Sequence, residues 1–155
     1  MKKKFSSVFA VMFALLVFQA GIVSAQVTIK EDARKFLNHT NDAIMKAKGA
    51  VEVGQVYTGD VVKAVHHQKY ARDLFKQGEY NKAIFHSYRA RQLAFAAIRA
   101  NKAKVTDDLQ VNANEKPLLK DIPNDKNLDG EVKIPANADE KSMLKDKEDD
   151  IPADK

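Results

Sequence analysis

The chain has 155 residues, of which 26 are Lys or Arg, 21 are Asp or Glu and none is Cys. This length allows one small domain, and the absence of Cys excludes disulfides and the acylated Cys of a lipoprotein anchor. The net charge of +5 is unevenly distributed, because residues 26–101 hold 13 basic and 7 acidic side chains whereas residues 102–155 hold 10 and 14.

Residues 1–25 are typical of a bacterial signal peptide. Three consecutive lysines precede an apolar run over residues 8–23, and small side chains follow up to Ala25. We therefore expect cleavage between Ala25 and Gln26, and export to the periplasm or out of the cell. The alternative is an uncleaved membrane anchor, because the run approaches the roughly 20 residues that span a bilayer.

Residues 26–104 have the periodicity of a helical domain. Apolar residues recur at three- and four-residue intervals over about residues 30–48, 60–77 and 79–101. The third stretch has two apolar faces, which implies a neighbour on each side. We expect an all-α fold, a small three-helix bundle made of a helical hairpin and one N-terminal helix, in which the third helix packs against both others.

The third predicted helix carries an aromatic stripe beside its small-residue face. Phe85, Tyr88 and Phe95 fall on this stripe at 100° per residue. If other elements leave it incompletely covered, we expect it to contact a protein partner, with the basic side chains of Arg89 and Lys82 beside it.

Residues 64–97 have the elements of a tight helical hairpin, with a Gly turn and small residues where two helices would approach each other. The pattern consists of Gly78-Glu79-Tyr80-Asn81-Lys82-Ala83-Ile84, Ala90 and Leu93, preceded by Ala71 and Leu74. This unit resembles a tetratricopeptide repeat, and the resemblance implies an antiparallel helix pair used for protein contacts. His67 and Ser87 replace the usual bulky residues, and a generic helical hairpin is the alternative.

Residues 105–155 form a predicted disordered polar tail. They contain all 4 Pro of the chain and no aromatic residue, so they bury too little apolar area to offset the entropy of ordering. A short pattern recurs, since residues 118–126 are echoed by residues 143–146 and 150–155, and a third Ile-Pro occurs at residues 134–135. These segments are either low-complexity sequence in a solvated tail, short motifs that bind a partner, or segments that pack on the chain's own helices.

Candidate ligand groups are few. Asp125, Asn127 and Asp129 resemble the first half of a calcium-binding loop, although the bidentate Glu of such loops is missing and a plain turn is the alternative. His67 and His86 lie within about one turn of each other on the predicted hairpin. No third ligand is evident for them, so we expect ordinary surface or boundary histidines and no metal site.

The sequence predicts a binding protein rather than an enzyme, because it lacks a nucleophile–base pair, a phosphate loop and a dinucleotide fingerprint. We expect no cofactor and no nucleic acid. The preferred function is an exported protein-binding or scaffolding module with an unknown partner in the cell envelope and an undetermined oligomeric state. The alternative is an envelope structural or surface-associated protein that holds anionic lipid or polysaccharide through its basic helices, with at most peripheral membrane contact. The basic helices are also expected to attract the acidic tail.

Overall fold

The computed structural model describes the backbone of residues 8–153 and the side chains of residues 28–153. All regular structure in this range is helical, which confirms the predicted all-α class. The helices are α1 (Val8–Gly54), α2 (Asp60–Lys76), α3 (Tyr80–Ala100), α4 (Asp125–Glu131) and α5 (Glu140–Met143), with 3₁₀ turns at Asp107–Leu109 and Lys116–Leu119.

The first helix is longer than its periodicity predicted, since it continues through the valine-rich stretch to Gly54. The predicted cleavage point after Ala25 lies among residues whose side chains are outside the described part, so the signal peptide stays a prediction. We find no helix in the described part of the chain with the length and apolarity to cross a membrane.

The three long helices pack on one another, and α3 lies against both α1 and α2. Gly78 closes α2 with φ +82°, a conformation that side chains with a Cβ rarely adopt. The next amide, of Glu79, returns to the carbonyl of Leu74 at 2.9 Å, which ends the helix and starts the hairpin. Ala83 and Ala71 are fully buried where the helices meet, so their small side chains permit the close approach.

The core forms clusters along the three helices. The largest lies at the C-terminal ends of α1 and α3 and the N-terminal end of α2, as expected where α2 and α3 run antiparallel. Phe95 belongs to this cluster with 9 % exposure. A second region lies toward the hairpin turn and includes Phe36 and Ile84, both fully buried.

Residues 105–153 lie against the long helices, which corrects the expectation of a disordered tail for this range. The aliphatic residues of this range that pack on the helical clusters are Val105, Leu109, Leu118, Leu119, Leu144 and Ile151. The composition correctly indicated little regular structure. Composition did not reveal that isolated aliphatic residues can be buried without periodic spacing, because the long helices already supply the surface that covers them. The repeated aliphatic segments are therefore intramolecular contacts.

Candidate functional site

A line of polar side chains runs along α1 beside its apolar face. Arg34, Asn38, Asn41 and Lys48 are separated by four, three and seven residues, spacings that place them on one side of a helix. We call these four residues the polar stripe. Residues 146–151, the acidic segment, lie along it.

Asn38 binds the backbone of the acidic segment at both of its hydrogen-bonding groups. Its Nδ2 donates to the carbonyl of Ile151 at 3.0 Å, and its Oδ1 accepts from the Ile151 amide at 2.8 Å. A primary amide thus replaces the partner that a neighbouring strand would supply. The side chain of Ile151 packs beside Leu37 and Leu74, so the residue is held by its backbone and by apolar contact.

Asn41, one turn further along α1, also binds the acidic segment. Its Nδ2 donates to the Asp149 carbonyl at 3.1 Å and to Oδ1 of Asp150 at 2.8 Å. Its own Oδ1 accepts from Gln68 at 2.7 Å and from Arg72 at 3.0 Å. Because these two α2 donors hold the oxygen, the amide nitrogen is directed toward the acidic segment.

Two cations enclose Glu148 at the other end of the stripe. Lys48 is only 2 % exposed, and its Nζ donates to Oε1 of Glu148 and to the carbonyl of Asp146, each at 2.8 Å. Arg72 lies 3.4 Å from Oε2 of Glu148 and donates to the Asp149 carbonyl at 2.6 Å. A buried ammonium is tolerated because an opposite charge and a carbonyl replace its water.

The acidic segment runs antiparallel to α1. Arg34 and Asn38 contact Ile151, whereas Lys48 contacts Asp146. Five steps of extended chain cover about 17 Å, and the helix rises about 21 Å over the stripe, so the long Lys48 side chain spans the difference. The polar stripe and the α2 side chain of Arg72 therefore form a groove in which the chain's own residues 146–151 lie lengthwise.

The chain itself buries one residue of the predicted partner-binding stripe on α3 and partly covers the other two. Phe85 and Tyr88 are half-buried in the cluster that Leu118 and Leu119 contact, and Phe95 is in the core. A partner contact was expected only where the aromatic stripe is incompletely covered, and the buried Phe95 does not meet this requirement. Its burial follows from α1 packing on the face that periodicity had assigned to a partner.

The two basic residues beside that stripe differ in their contacts. Arg89 donates to both carboxylate oxygens of Asp129 at 2.8 Å and to Asp125 at 2.9 Å, so it binds α4. Lys82 stays on the surface, where it pairs with Glu79 at 3.2 Å. The expected attraction between basic helices and acidic tail thus takes the form of specific ion pairs.

The calcium-loop candidates lie on a helix instead of a loop. Asp125, Asn127 and Asp129 belong to α4, which Asn124 caps by accepting from the Asn127 amide at 3.0 Å. A helix does not wrap these oxygens around one point, and Arg89 occupies two of the three side chains. The prediction of a calcium-binding loop at these three residues is therefore wrong. No group of three metal-ligating side chains occurs in the described part of the chain.

The two hairpin histidines are brought together, as their spacing predicted. The Nδ1 atoms of His67 and His86 are 3.2 Å apart, and both side chains are about 1 % exposed, which corrects the expected surface or boundary position. Burial lowers the pKa of His67 to about 4, and the charge of His86 adds to this effect. Burial also lowers the pKa of His86, although Glu131 opposes the shift.

Sequence reasoning missed the polar stripe. The available signal was the set of polar residues at Arg34, Asn38 and Asn41, which share one face next to the apolar positions of α1. Comparison with family models, with curated proteins and with solved structures finds no match for this chain.

Proposed function

We propose that this protein is an exported, non-enzymatic binding or scaffolding module, a three-helix bundle with a tetratricopeptide-like hairpin that holds an extended acidic protein segment. The observation that carries the proposal is the pair of hydrogen bonds between Asn38 and the backbone of Ile151, at 3.0 and 2.8 Å. A side-chain amide that satisfies both backbone groups of one residue is a means of holding a peptide independently of most of its side chains.

The remaining contacts define the chemistry of the segment that fits. Lys48 and Arg72 favour carboxylates at its first half, and the apolar surface of Leu37 and Leu74 favours an aliphatic residue at its end. The chain's own residues 146–151 meet these requirements and occupy the groove. A partner segment must therefore displace a tethered competitor, whose effective concentration is on the order of millimolar.

Binding to a vacated groove tests this proposal in the full-length chain. The double variant Asp150→Lys, Ile151→Pro removes the carboxylate contact with Asn41, the backbone amide that donates to Asn38 and the Ile151 anchor, while the chain keeps its length. A fluorescent synthetic peptide of residues 145–153 is then titrated and followed by anisotropy. We expect the vacated variant to bind the peptide at least about tenfold more tightly than the unaltered chain.

A matched pair of substitutions locates the binding. Asn38→Asp in the vacated variant sets a carboxylate against the peptide carbonyl and is expected to weaken binding about tenfold or more. Asn81→Asp makes the same chemical change at an exposed position of α3 and is expected to leave binding unchanged. Equal binding by both variants, or no binding to a chain that keeps its helical circular dichroism, contradicts the proposal.

The alternative, a protein that holds anionic lipid or polysaccharide, has less support. Of the basic hairpin residues, Arg72, Arg89 and Arg91 bind carboxylates of the chain's own C-terminal third. Their charge is thus compensated before any anionic polymer arrives. Salt separates the two functions, because polymer binding through surface lysines collapses as ionic strength rises, whereas backbone clamping with an apolar anchor persists.

A further inference from the structure

Two buried histidines join three helices through a chain of ring nitrogens. His67 of α2 and His86 of α3 face each other through Nδ1 atoms 3.2 Å apart. Their Nε2 atoms point toward α4, where His67 meets Oδ1 of Asp129 at 3.1 Å and His86 meets Oε2 of Glu131 at 3.3 Å. The outer contacts fasten α4 to the hairpin, and the inner contact joins the two arms of the hairpin.

The number of protons decides which of these contacts hold. Each carboxylate accepts, so each Nε2 must carry a proton, which accounts for two. A third proton placed between the Nδ1 atoms completes all three hydrogen bonds. A fourth proton sets one N–H group against another at 3.2 Å. One ring must then turn, and because both nitrogens belong to one rigid ring, its Nε2 leaves the carboxylate of α4.

The charged and polar groups around the pair come from each helix that contacts it. Asp129 and Glu131 of α4 favour protonation, whereas Arg89 of α3 opposes it at His67. Tyr70 of α2 packs edge-on against the ring of His86, with centroids 4.6 Å apart, and restricts the space in which that ring turns.

We propose that the His67–His86 pair is a proton-operated latch that holds α4 on the hairpin while the two rings carry up to three N–H protons, and releases α4 when a fourth is added. The proposal goes beyond the binding function, because α4 lies against α3 and the polar stripe is on α1. The ligand of the His67–His86 pair is the proton.

The direction of the titration agrees with a latch that opens on mild acidification. Burial lowers the pKa of His67 to about 4 from an ordinary 6.5, and burial lowers the pKa of His86 as well. A histidine whose pKa is lowered on folding favours the closed state above its ordinary pKa. That preference is lost as the pH falls from 6.5 toward 4, since the open pair reaches four N–H protons at a higher pH than the closed pair, in which burial resists protonation of both rings.

The methyl resonances of Leu128 report on the latch, because this α4 residue is 2 % exposed while α4 is closed. In the full-length chain, we expect them to move to solvent-exposed positions as the pH falls from 6.5 toward about 4. Methyl resonances of Ile44, fully buried elsewhere in the core, should stay in place and distinguish α4 release from global unfolding.

Two variants and a control test whether the histidine pair is responsible. His86→Gln replaces an imidazole, which can take up an additional proton, with an amide that stays neutral. This variant should lower the pH midpoint of Leu128 exposure by about one unit. His67→Asn gives the same test if the first variant fails to fold. Asn81→His adds a histidine at an exposed position of α3 outside the pair and should leave the midpoint unchanged. Leu128 that stays buried at about pH 4, the lowered pKa of His67, or a midpoint insensitive to both pair variants, overturns the latch.

Discussion

Arg91 and Glu115 form two parallel hydrogen bonds of 2.9 Å each, and both side chains are buried. Arg91 also donates to Oγ1 of Thr40 and to the Phe36 carbonyl, and its guanidinium lies 4.4 Å from the centroid of the Phe36 ring. Glu115 in turn binds Nδ1 of His39 at 2.8 Å. This network joins α1, α3 and the segment that composition had predicted to be disordered.

The first prediction concerns this ion pair. Glu115→Gln leaves the buried guanidinium of Arg91 without its countercharge, and breaking a buried pair on one side typically costs about 3–5 kcal/mol. We expect a large fall in the free energy of unfolding, measured by urea denaturation. Glu52→Gln, at an exposed position of α1, serves as the control. An equal effect of both substitutions would show that the pair contributes little.

The second prediction is the pH dependence of this pair. Burial alone would raise the pKa of Glu115, but the hydrogen bonds and charge of Arg91, with His39, lower it below its ordinary 4.5. A carboxyl whose pKa is lowered on folding stabilises the protein above 4.5, and this contribution is lost as the pH falls further. Urea denaturation below this pH should therefore show a steeper loss of stability in the unaltered chain than in Glu115→Gln.

The third prediction concerns the cap of α2. Gly59 occupies the N-cap position and has no side chain, and Glu140 supplies the missing acceptor to the amides of Gly59 at 2.9 Å and Val61 at 3.0 Å. Glu140→Ala should cost about 1–2 kcal/mol, as loss of an N-cap does. Hydrogen exchange at the Val61 amide should accelerate. Lys145→Ala, at an exposed position nearby, should change neither quantity.

The fourth prediction concerns the residues after Lys104, which composition had predicted to be disordered. A chain that ends at Lys104 loses the partners of Lys48 and Arg91, both buried charges. It also exposes the apolar surface that Leu109 and Leu144 cover. We expect a large fall in the melting temperature followed by circular dichroism at 222 nm. An unchanged melting temperature would mean that these contacts add no net stability.

The fifth prediction tests the contact between α2 and α3. Ala83 is fully buried beside Leu37 and Leu74, so Ala83→Leu should overpack this contact at a cost of about 1–3 kcal/mol. Asn81→Leu adds the same side chain at an exposed position of the same helix and is the matched control. The free energies of unfolding of the two variants are compared in urea, and equal values would place Ala83 outside the tight contact.

The sequence by itself determined the helical class, the Gly78 turn between α2 and α3, and the proximity of His67 to His86. These features are local, because a period of 3.6 residues and a left-handed glycine restrict the chain over a few turns. The excess of basic residues before residue 102 and of acidic residues after it also indicated mutual attraction.

Only the tertiary structure decided which charges meet and where the C-terminal third lies. Lys48 pairs with Glu148 across 100 positions of sequence, and Asn38 binds Ile151 across 113. No local pattern contains such pairs, since each depends on a rigid helical surface that holds the first partner in place. The same surface offsets the ordering cost of the acidic segment, because it supplies apolar area and hydrogen-bond partners that the segment lacks by itself.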